Sequence, residues 1–342
     1  MRSLTAALAA LATFALAPAA LITASEAAQA APAAVADAAI EKTTFVYSTK
    51  DGRSLQLDRY VSSDRRFQGR RPVLLYSAGG GWEKADRADR ISTEYLEHFA
   101  ALGYVAVSID YRLAIAQAKQ RGEMTAANVR PMYLRAIRWG VEDLYDATAY
   151  VLKHADEWNI DPASIVICGS SAGATNSLVA EFNVANQTEL SAEHLPKNFR
   201  YAGVISMAGA FWLEDGTPFV WKQKPAPIML IHGGKDQLVT YDNDEKNSAY
   251  GPVYAQRQFA SQGYPSWFID LPEADHVMAL AGLIDYRSET EAFLAKLVRE
   301  KQELSIHTVE QGKVTKSFGN LAALYGRYLT PAAPMKTDTA KQ

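Results

Sequence analysis

The sequence lacks several features that would place it in a specialised class of protein. It contains a single cysteine, Cys168, so no disulfide can form within the chain. Its 35 Lys and Arg residues are nearly balanced by 38 Asp and Glu residues, which gives a formal net charge of -3, and no long basic stripe is present. We therefore expect no nucleic-acid partner. We find no internal repeat, and a hydrophobic content of 48% over 342 residues is ample for a core, which excludes a disordered protein.

The amino-terminal thirty residues have the pattern of an export signal. Arg2 precedes an uncharged, Ala- and Leu-rich stretch over residues 4–22, and Ala28-Gln29-Ala30 supplies small residues for cleavage. We therefore expect a periplasmic or extracellular protein with no stable membrane insertion after signal removal. The alternative is an uncleaved membrane anchor, but Pro18 and the many alanines make the stretch weakly hydrophobic for a span.

Three further segments follow this predicted signal. Residues 31–42 are interpreted as an Ala-rich linker and residues 43–303 as one α/β domain. Residues 304–342 are interpreted as a polar carboxyl-terminal extension that is partly disordered, with a helix predicted around Leu321 to Tyr328.

Short apolar runs alternate with helical patterns through the domain. The segments Thr43 to Tyr47 and Leu55 to Tyr60 flank Lys50-Asp51-Gly52, which predicts an opening β-hairpin. The runs typical of parallel strands buried on both faces are Val73 to Tyr76, Val105 to Ile109, Ile165 to Cys168, Val204 to Met207, Ile228 to Ile231 and Trp267 to Leu271. The helical patterns are Thr93 to Leu102, Leu134 to Trp158, Ala172 to Phe182, Tyr254 to Gln262 and Glu289 to Lys301. This alternation predicts a doubly wound, mostly parallel sheet.

Three connections are longer than a βα turn needs, and we interpret them as cap or pocket loops. They are Leu113 to Met132, Asn183 to Arg200 and Phe211 to Pro227. Aromatic residues in the last of them could stack against a sugar or an aromatic acyl group, or could pack a cap against the core. The candidate substrate-binding residues are Trp82, Phe211 and Trp212.

The junction of an apolar strand with Gly169-Ser170-Ser171-Ala172-Gly173 predicts a nucleophile at Ser171. In such a G-x-S-x-G turn the serine adopts a strained, positive-φ conformation between a strand and a helix. The flanking glycines are needed because a Cβ there would collide with neighbouring backbone. Since this motif also recurs by chance, its position between a strand and a helix carries the interpretation.

A serine hydroxyl needs a base to remove its proton and an acid to orient that base. In a parallel sheet these should follow later strands at the same edge, in the order Ser, acid, His. Asp236 ends the loop after Ile228 to Ile231, and His276 lies at the tip of the loop after the last predicted strand. The sequence therefore predicts a Ser171, Asp236 and His276 triad.

Rival residues fit this order less well. Asp242 and Asp244 lie further from the strand end, and Asp275 adjoins His276 too closely to orient its ring. The remaining histidines fall in helical patterns, in polar stretches or, for His232, just before glycines where it can hold the loop; they are His98, His154, His194, His232 and His307.

Backbone N–H donors must also meet the negative charge that develops on a substrate carbonyl oxygen. The glycine-rich segment Tyr76 to Trp82 follows the first predicted parallel strand and lets backbone approach a substrate closely. The N–H of Ala172, at the start of the helix after the nucleophile, is expected to complete an oxyanion hole.

Together with the segments Ala101 to Arg112 and Asp161 to Gly173, these motifs resemble the α/β-hydrolase superfamily. The resemblance is to carboxylesterases and lipases with an H-G-G-G-W loop, including the feruloyl and acetyl-xylan esterase-like branch. It implies the triad given above, with Gly80, Gly81 and Ala172 as oxyanion donors.

Two positions depart from the pattern of that superfamily. Ala78 occupies the place of the His at the head of the glycine loop, so the bonds that the imidazole makes must be replaced or absent. Ser170 differs from the Asp or Glu usual in the hormone-sensitive-lipase-like and cholinesterase-like branches, so the chain is placed in neither.

The expected function is that of a serine hydrolase that cleaves a small-molecule or carbohydrate ester through an acyl-enzyme, with no metal or organic cofactor. A peptidase or amidase of the prolyl-oligopeptidase-like type is an alternative with the same catalytic order. A catalytically silent binding module on a hydrolase scaffold is the third interpretation. The sequence gives no indication of an oligomeric state.

Overall fold

The computed structural model describes residues 39–312, 315 and 316. The predicted export signal over residues 1–30, most of the predicted linker and the helix predicted around Leu321 to Tyr328 lie outside these residues, and they stay predictions.

A nine-stranded sheet lies at the centre of the described residues, in the order β1-β2-β4-β3-β5-β6-β8-β11-β12. The pairs β1/β2 and β2/β4 are antiparallel, and the other pairs are parallel. This architecture confirms the predicted fold class. A small sheet has the order β7-β10-β9. The strands are β1 Ile40–Lys50, β2 Arg53–Ser62, β3 Arg71–Ser77, β4 Val105–Ile109, β5 Ile160–Ser170, β6 Gly203–Met207, β7 Phe211–Trp212, β8 Ile228–Gly233, β9 Asn243–Asp244, β10 Ala249–Tyr250, β11 Ser266–Leu271 and β12 Ser305–Val309.

The predicted hairpin forms the antiparallel entry to the sheet. Lys50 pairs with Arg53 across a two-residue turn. Asp51 and Gly52 have φ values of 53° and 74°, and two consecutive positive φ values define the type I′ turn that matches the twist of paired strands. At the opposite end, β12 adds to β11 in parallel, so the sheet continues beyond residue 303, where the sequence analysis ends the domain.

Helices cover both faces of the large sheet. Two clusters of buried apolar residues lie on its two sides: α3, α4 and α6 contribute to one, and α1, α7 and α8 contribute to the other. Among the residues that the structure covers, no helix is long and apolar enough to span a membrane. The helices are α1 Arg90–Ala101, α2 Ala114–Gln120, α3 Val129–Lys153, α4 Ala172–Asn186, α5 Glu189–His194, α6 Pro252–Gln262, α7 Met278–Asp285 and α8 Arg287–Phe293, which continues as a π-helical segment over Leu294–Arg299.

The strand order brings four loops to one edge of the sheet. After β3 the chain crosses to β4 on one side and then returns to β5 on the other, so β3 and β5 flank the point where the winding reverses. In sheets of this type, the crevice at that point lies beyond the carboxyl ends of the strands. The loops after β3, β5, β8 and β11 therefore converge there, and they carry all of the predicted catalytic residues.

Cys168 lies inside this framework, near the end of β5. Its side chain has no exposed surface, and burial raises the pKa of its thiol well above the usual value. Its predicted role as a small core residue agrees with this position.

Candidate active site

Ser171 lies in a sharp turn between β5 and α4. Its backbone has φ 49° and ψ -117°, so the predicted positive-φ conformation is present. A Cβ added at Gly173 would lie 2.0 Å from the carbonyl oxygen of Ser77, and one at Gly169 would lie 2.3 Å from the carbonyl carbon of Gly173. Backbone occupies both places, so only glycine fits on either side of the serine.

The structure brings the three predicted triad residues together. Ser171 Oγ lies 2.8 Å from Nε2 of His276, and Nδ1 of the same ring lies 2.7 Å from Oδ2 of Asp236. The other carboxylate oxygen, Oδ1, accepts hydrogen bonds from the backbone N–H groups of Leu238 and Val239 at 2.8 and 3.0 Å. The serine, the imidazole and the carboxylate thus form one continuous series of contacts.

The Asp236 side chain is fully buried. Burial by itself would raise the pKa of this carboxyl, but its contacts with His232 and His276 outweigh burial and lower the pKa well below its usual range. Asp236 is therefore ionised at neutral pH, which suits a group that stabilises a positively charged imidazole.

The rival acids have other contacts. Asp242 pairs with Arg257, Asp244 caps a short 3-10 turn, and Asp275 accepts from the N–H of Val277 at 2.9 Å.

Of the other histidines, four lie outside the series of contacts at Ser171. His98 contacts Glu291, His194 contacts Asp146 and His307 contacts Asp270, while the ring of His154 stacks on Trp158. The fifth, His232, touches the acid itself, with its Nε2 3.1 Å from Oδ2 of Asp236.

The predicted oxyanion donors lie beside the nucleophile. Gly80, Gly81 and Ala172 all line the cavity that contains Ser171. Gly80 has φ 126°, and its carbonyl accepts from the N–H groups of Glu83 and Lys84, so the loop turns tightly there. Gly79 is also close, since a Cβ added to it would lie 3.2 Å from Cβ of Ser171. Whether these N–H groups bind an oxyanion stays a prediction.

Two side-chain hydrogen bonds hold this loop, which has Ala78 where the superfamily pattern has a histidine. No local sequence motif reveals either bond. The hydroxyl of Tyr111 donates to the carbonyl oxygen of Ala78 at 2.8 Å. The indole N–H of Trp82 donates to Oδ1 of Asn176 at 3.0 Å, and the Asn176 side chain is fully buried on α4. Both bonds join residues far apart in the sequence, and this is why sequence reasoning missed them.

The cavity over Ser171 has a volume of about 850 Å³, within the range of small-molecule sites. Trp82, Tyr133 and Trp212 form one wall, in which ring centroids of neighbouring residues lie 5.8 and 5.7 Å apart. Two segments that the sequence analysis did not assign to the pocket also contribute; their lining residues are Leu238, Val239, Thr240, Ala279 and Leu280.

Two sequence expectations about the pocket differ from the structure. Phe211 does not line the cavity: its side chain is fully buried, because its ring packs against those of Phe219, Trp221 and Phe259. The connection Asn183 to Arg200 contributes no lining residue either, since it forms the end of α4 and then α5.

Histidine, cysteine and carboxylate side chains that cluster in groups of three or more can hold a metal ion. Within residues 39–312, 315 and 316, no group of three or more of them is placed to hold a metal ion.

Comparisons with known proteins agree with this architecture. A family model described as BD-FAE matches residues 57–216. Probable carboxylic ester hydrolase LipM of Mycobacterium tuberculosis is 30% identical over 263 residues, which cover 68% of this chain and 55% of the relative. Esterase LipQ of the same organism is 23% identical over 278 residues, which cover 70% of this chain and 58% of the relative. The chain thus spans about half the length of the curated relatives it matches.

A solved structure shows the same fold along nearly its whole length. The native thermophilic esterase of Thermogutta terrifontis superposes with a TM-score of 0.53 and 21% sequence identity, over 81% of this chain and 95% of that one. The sheet order, the strained serine turn and these similarities lead to one conclusion. The chain has the α/β-hydrolase fold and is similar to carboxylesterases with that fold.

Proposed function

We propose that this protein is a serine hydrolase that cleaves carboxylic esters through an acyl-enzyme on Ser171. The observation that carries the proposal is the unbroken series of contacts from Ser171 Oγ through His276 to Asp236, at 2.8 and 2.7 Å. A nucleophile, its base and the group that orients the base are the minimum set for this chemistry.

The proposed reaction begins when His276 Nε2 removes the proton from Ser171 Oγ as the oxygen attacks the ester carbonyl. The N–H groups of Gly80, Gly81 and Ala172 are expected to stabilise the oxyanion, for which each donor typically contributes about 3 kcal/mol. The protonated His276 then gives its proton to the leaving alcohol. Water attacks the acyl-enzyme in the same way, and the carboxylic acid product leaves with Ser171 restored.

The chemistry of the cavity wall supports an uncharged ester as substrate. Aromatic rings at Trp82, Tyr133 and Trp212 offer apolar faces, and Leu238 and Leu280 add aliphatic side chains to the lining. Structures of the Thermogutta terrifontis esterase have been determined with propionate or butyrate bound, so short acyl groups are the first to test here. A sugar or an aromatic acyl group could stack on the same wall.

The test combines turnover with covalent labelling. We expect the wild-type protein to hydrolyse a short p-nitrophenyl ester faster than an aminoacyl-nitroanilide, and Ser171→Ala to lose at least about a thousandfold in kcat, because the residual rate then comes only from binding and the oxyanion donors. Paraoxon, which phosphorylates the Thermogutta terrifontis esterase, should add one diethyl phosphate to wild type and none to Ser171→Ala in intact-mass spectra.

Ser170→Ala is the matched control, because it removes the adjacent hydroxyl and leaves the nucleophile. Full turnover by a folded Ser171→Ala variant would contradict the proposal. A clear preference for the anilide would favour the amidase alternative, and the absence of both activities would favour a binding module.

A further inference from the structure

His232 contacts the acid of the proposed triad, although the mechanism above gives it no role. It lies at the end of β8 with 1% of its surface exposed. Its Nε2 is 3.1 Å from Asp236 Oδ2, and His276 Nδ1 is 2.7 Å from that same oxygen. Two imidazoles therefore share one carboxylate oxygen.

The remaining contacts of Asp236 limit how its carboxylate can rotate. Oδ1 accepts from the N–H groups of Leu238 and Val239, so one oxygen is fixed by backbone. The position of Oδ2 under His276 then depends on what else that oxygen touches. His232 approaches it without the alignment of a strong hydrogen bond, so the contact is chiefly electrostatic.

We propose that His232 is a positioning residue: it holds Oδ2 of Asp236 beneath His276 and takes up part of the carboxylate charge. This inference rests on the proposed function, because it concerns the same triad. A ring nitrogen that faces an ionised oxygen is favoured in its N–H form, so Nε2 of His232 carries the proton.

The other groups around His232 are already paired. The ring of Tyr241 lies 6.1 Å away between centroids, and its hydroxyl donates to Oδ1 of Asp270 at 2.6 Å. Asp270 is the neighbour of His232 in register on β11, and its Oδ2 contacts His307. The groups that face His232 from these elements are thus Asp236, Asp270 and Tyr241, and only Asp236 also touches His276.

Loss of the donor at His232 should change proton binding by His276 in one direction. A donor on Oδ2 reduces the negative potential at His276, so its removal makes His276 bind a proton more tightly. Because the base must be neutral to act, loss of the donor should move the acidic limb of the pH–rate profile to higher pH. Loss of orientation should lower kcat and leave KM nearly unchanged, since His232 does not line the cavity.

The test uses two variants of similar length, of which only one keeps an N–H donor. For His232→Met we expect kcat for a p-nitrophenyl ester to fall about tenfold, because the N–H that faces the charged Oδ2 is lost, and the acidic limb to move up by about one pH unit. His232→Gln should restore most of both. Tyr241→Phe, which leaves the contacts of Asp236 intact, should stay within twofold of wild type.

Histidine NMR of the wild type and the two variants supplies a readout without turnover. Nitrogen-15 shifts should show a proton on Nε2 of His232, and the titration of His276 should move in His232→Met. An unprotonated Nε2 overturns the proposal, even if neither variant folds. Equal kcat and equal acidic limbs in all three proteins also overturn it. If no ester is cleaved but the His276 titration moves, the proposed function fails while the role of His232 stands.

Discussion

The turn that carries Ser171 and the neighbouring glycine loop, residues 78–82, are held by different means. Backbone collisions at Gly169 and Gly173 fix the turn, so five consecutive residues specify its shape. The loop depends on side chains from elsewhere, namely the Tyr111 hydroxyl on Ala78 and the Asn176 amide on Trp82. A nucleophile can therefore be recognised from a short motif, whereas the support for an oxyanion loop cannot.

This difference predicts that changes in the turn destabilise the fold, while changes behind the loop affect the rate. The largest effect is expected at Gly173, where an added Cβ would lie 2.0 Å from the Ser77 carbonyl oxygen and 2.7 Å from that of Ala78. Gly173→Ala should lower the free energy of unfolding by about 3 kcal/mol or more and abolish turnover, because backbone atoms must move. Urea unfolding and ester turnover measure both.

Gly69→Ala is the control for that substitution, because an added Cβ there meets no atom within 4 Å. It should match wild type in both measurements. If Gly173→Ala proved as stable and as active as Gly69→Ala, the turn would not be fixed by backbone contact.

Tyr111→Phe tests the loop, with a smaller expected effect. Loss of the hydroxyl frees the Ala78 carbonyl, so we expect kcat to fall about tenfold with KM little changed, because misplaced donors stabilise the transition state less well. Steady-state kinetics on a short ester measure this split.

Tyr145→Phe is a matched control, since the Tyr145 hydroxyl is also buried and donates to a backbone carbonyl, that of Ala180, at 2.7 Å. It should lower the free energy of unfolding by about 1 kcal/mol and leave kcat unchanged. Equal kinetic losses in the two variants would mean that Tyr111 acts only through general stability.

A substitution at Glu181, in the carboxyl-terminal half of α4, is expected to leave turnover unchanged. Burial raises the pKa of this carboxyl to about 7, although a hydrogen bond from the N–H of Ala226 and the positive charge of Arg200 both act to lower it. Between pH 4.5 and 7 the unfolded chain therefore releases a proton that the folded chain keeps, so stability falls as pH rises through this window and levels off above it.

Glu181→Gln removes that dependence and keeps an oxygen for Ala226. The difference between its free energy of unfolding and that of wild type should increase by about 3 kcal/mol from pH 4.5 to pH 8. A pH-independent difference in stability between the two proteins does not alter this increase. Urea titrations at several pH values give this difference. Parallel stability curves for the two proteins would contradict a buried, protonated Glu181, and a changed kcat would contradict the separation of the two ends of the helix.

Much of the fold was predictable because buried strands leave compact apolar runs. All eight predicted strands form, whereas β12 was missed because Ser305–Val309 is a polar edge strand that alternates between exposed and half-buried residues. Helix α7 was missed for the opposite reason: it is apolar on most sides, so it has no helical period to detect. Helix α3 begins at Val129, before the predicted Leu134, because Pro131 is tolerated in a first turn.

The same reasoning applies to the site. The positions of Ser171, Asp236 and His276 follow from strand ends, which topology brings to one edge. Phe211 was assigned to the pocket from its aromatic character, but the sequence does not say which side of a loop a ring packs against. The contacts of Tyr111, Asn176 and His232 depend on packing between elements, and no spacing rule encodes them.

The burial of Cys168 has a practical consequence for handling the molecule. As the chain's one thiol, it is sealed in the sheet and kept protonated, so maleimide reagents should not reach it in the native state. A cysteine engineered anywhere on the surface would then be the sole point of attachment for a fluorophore or a solid support, with no need to replace the natural residue first.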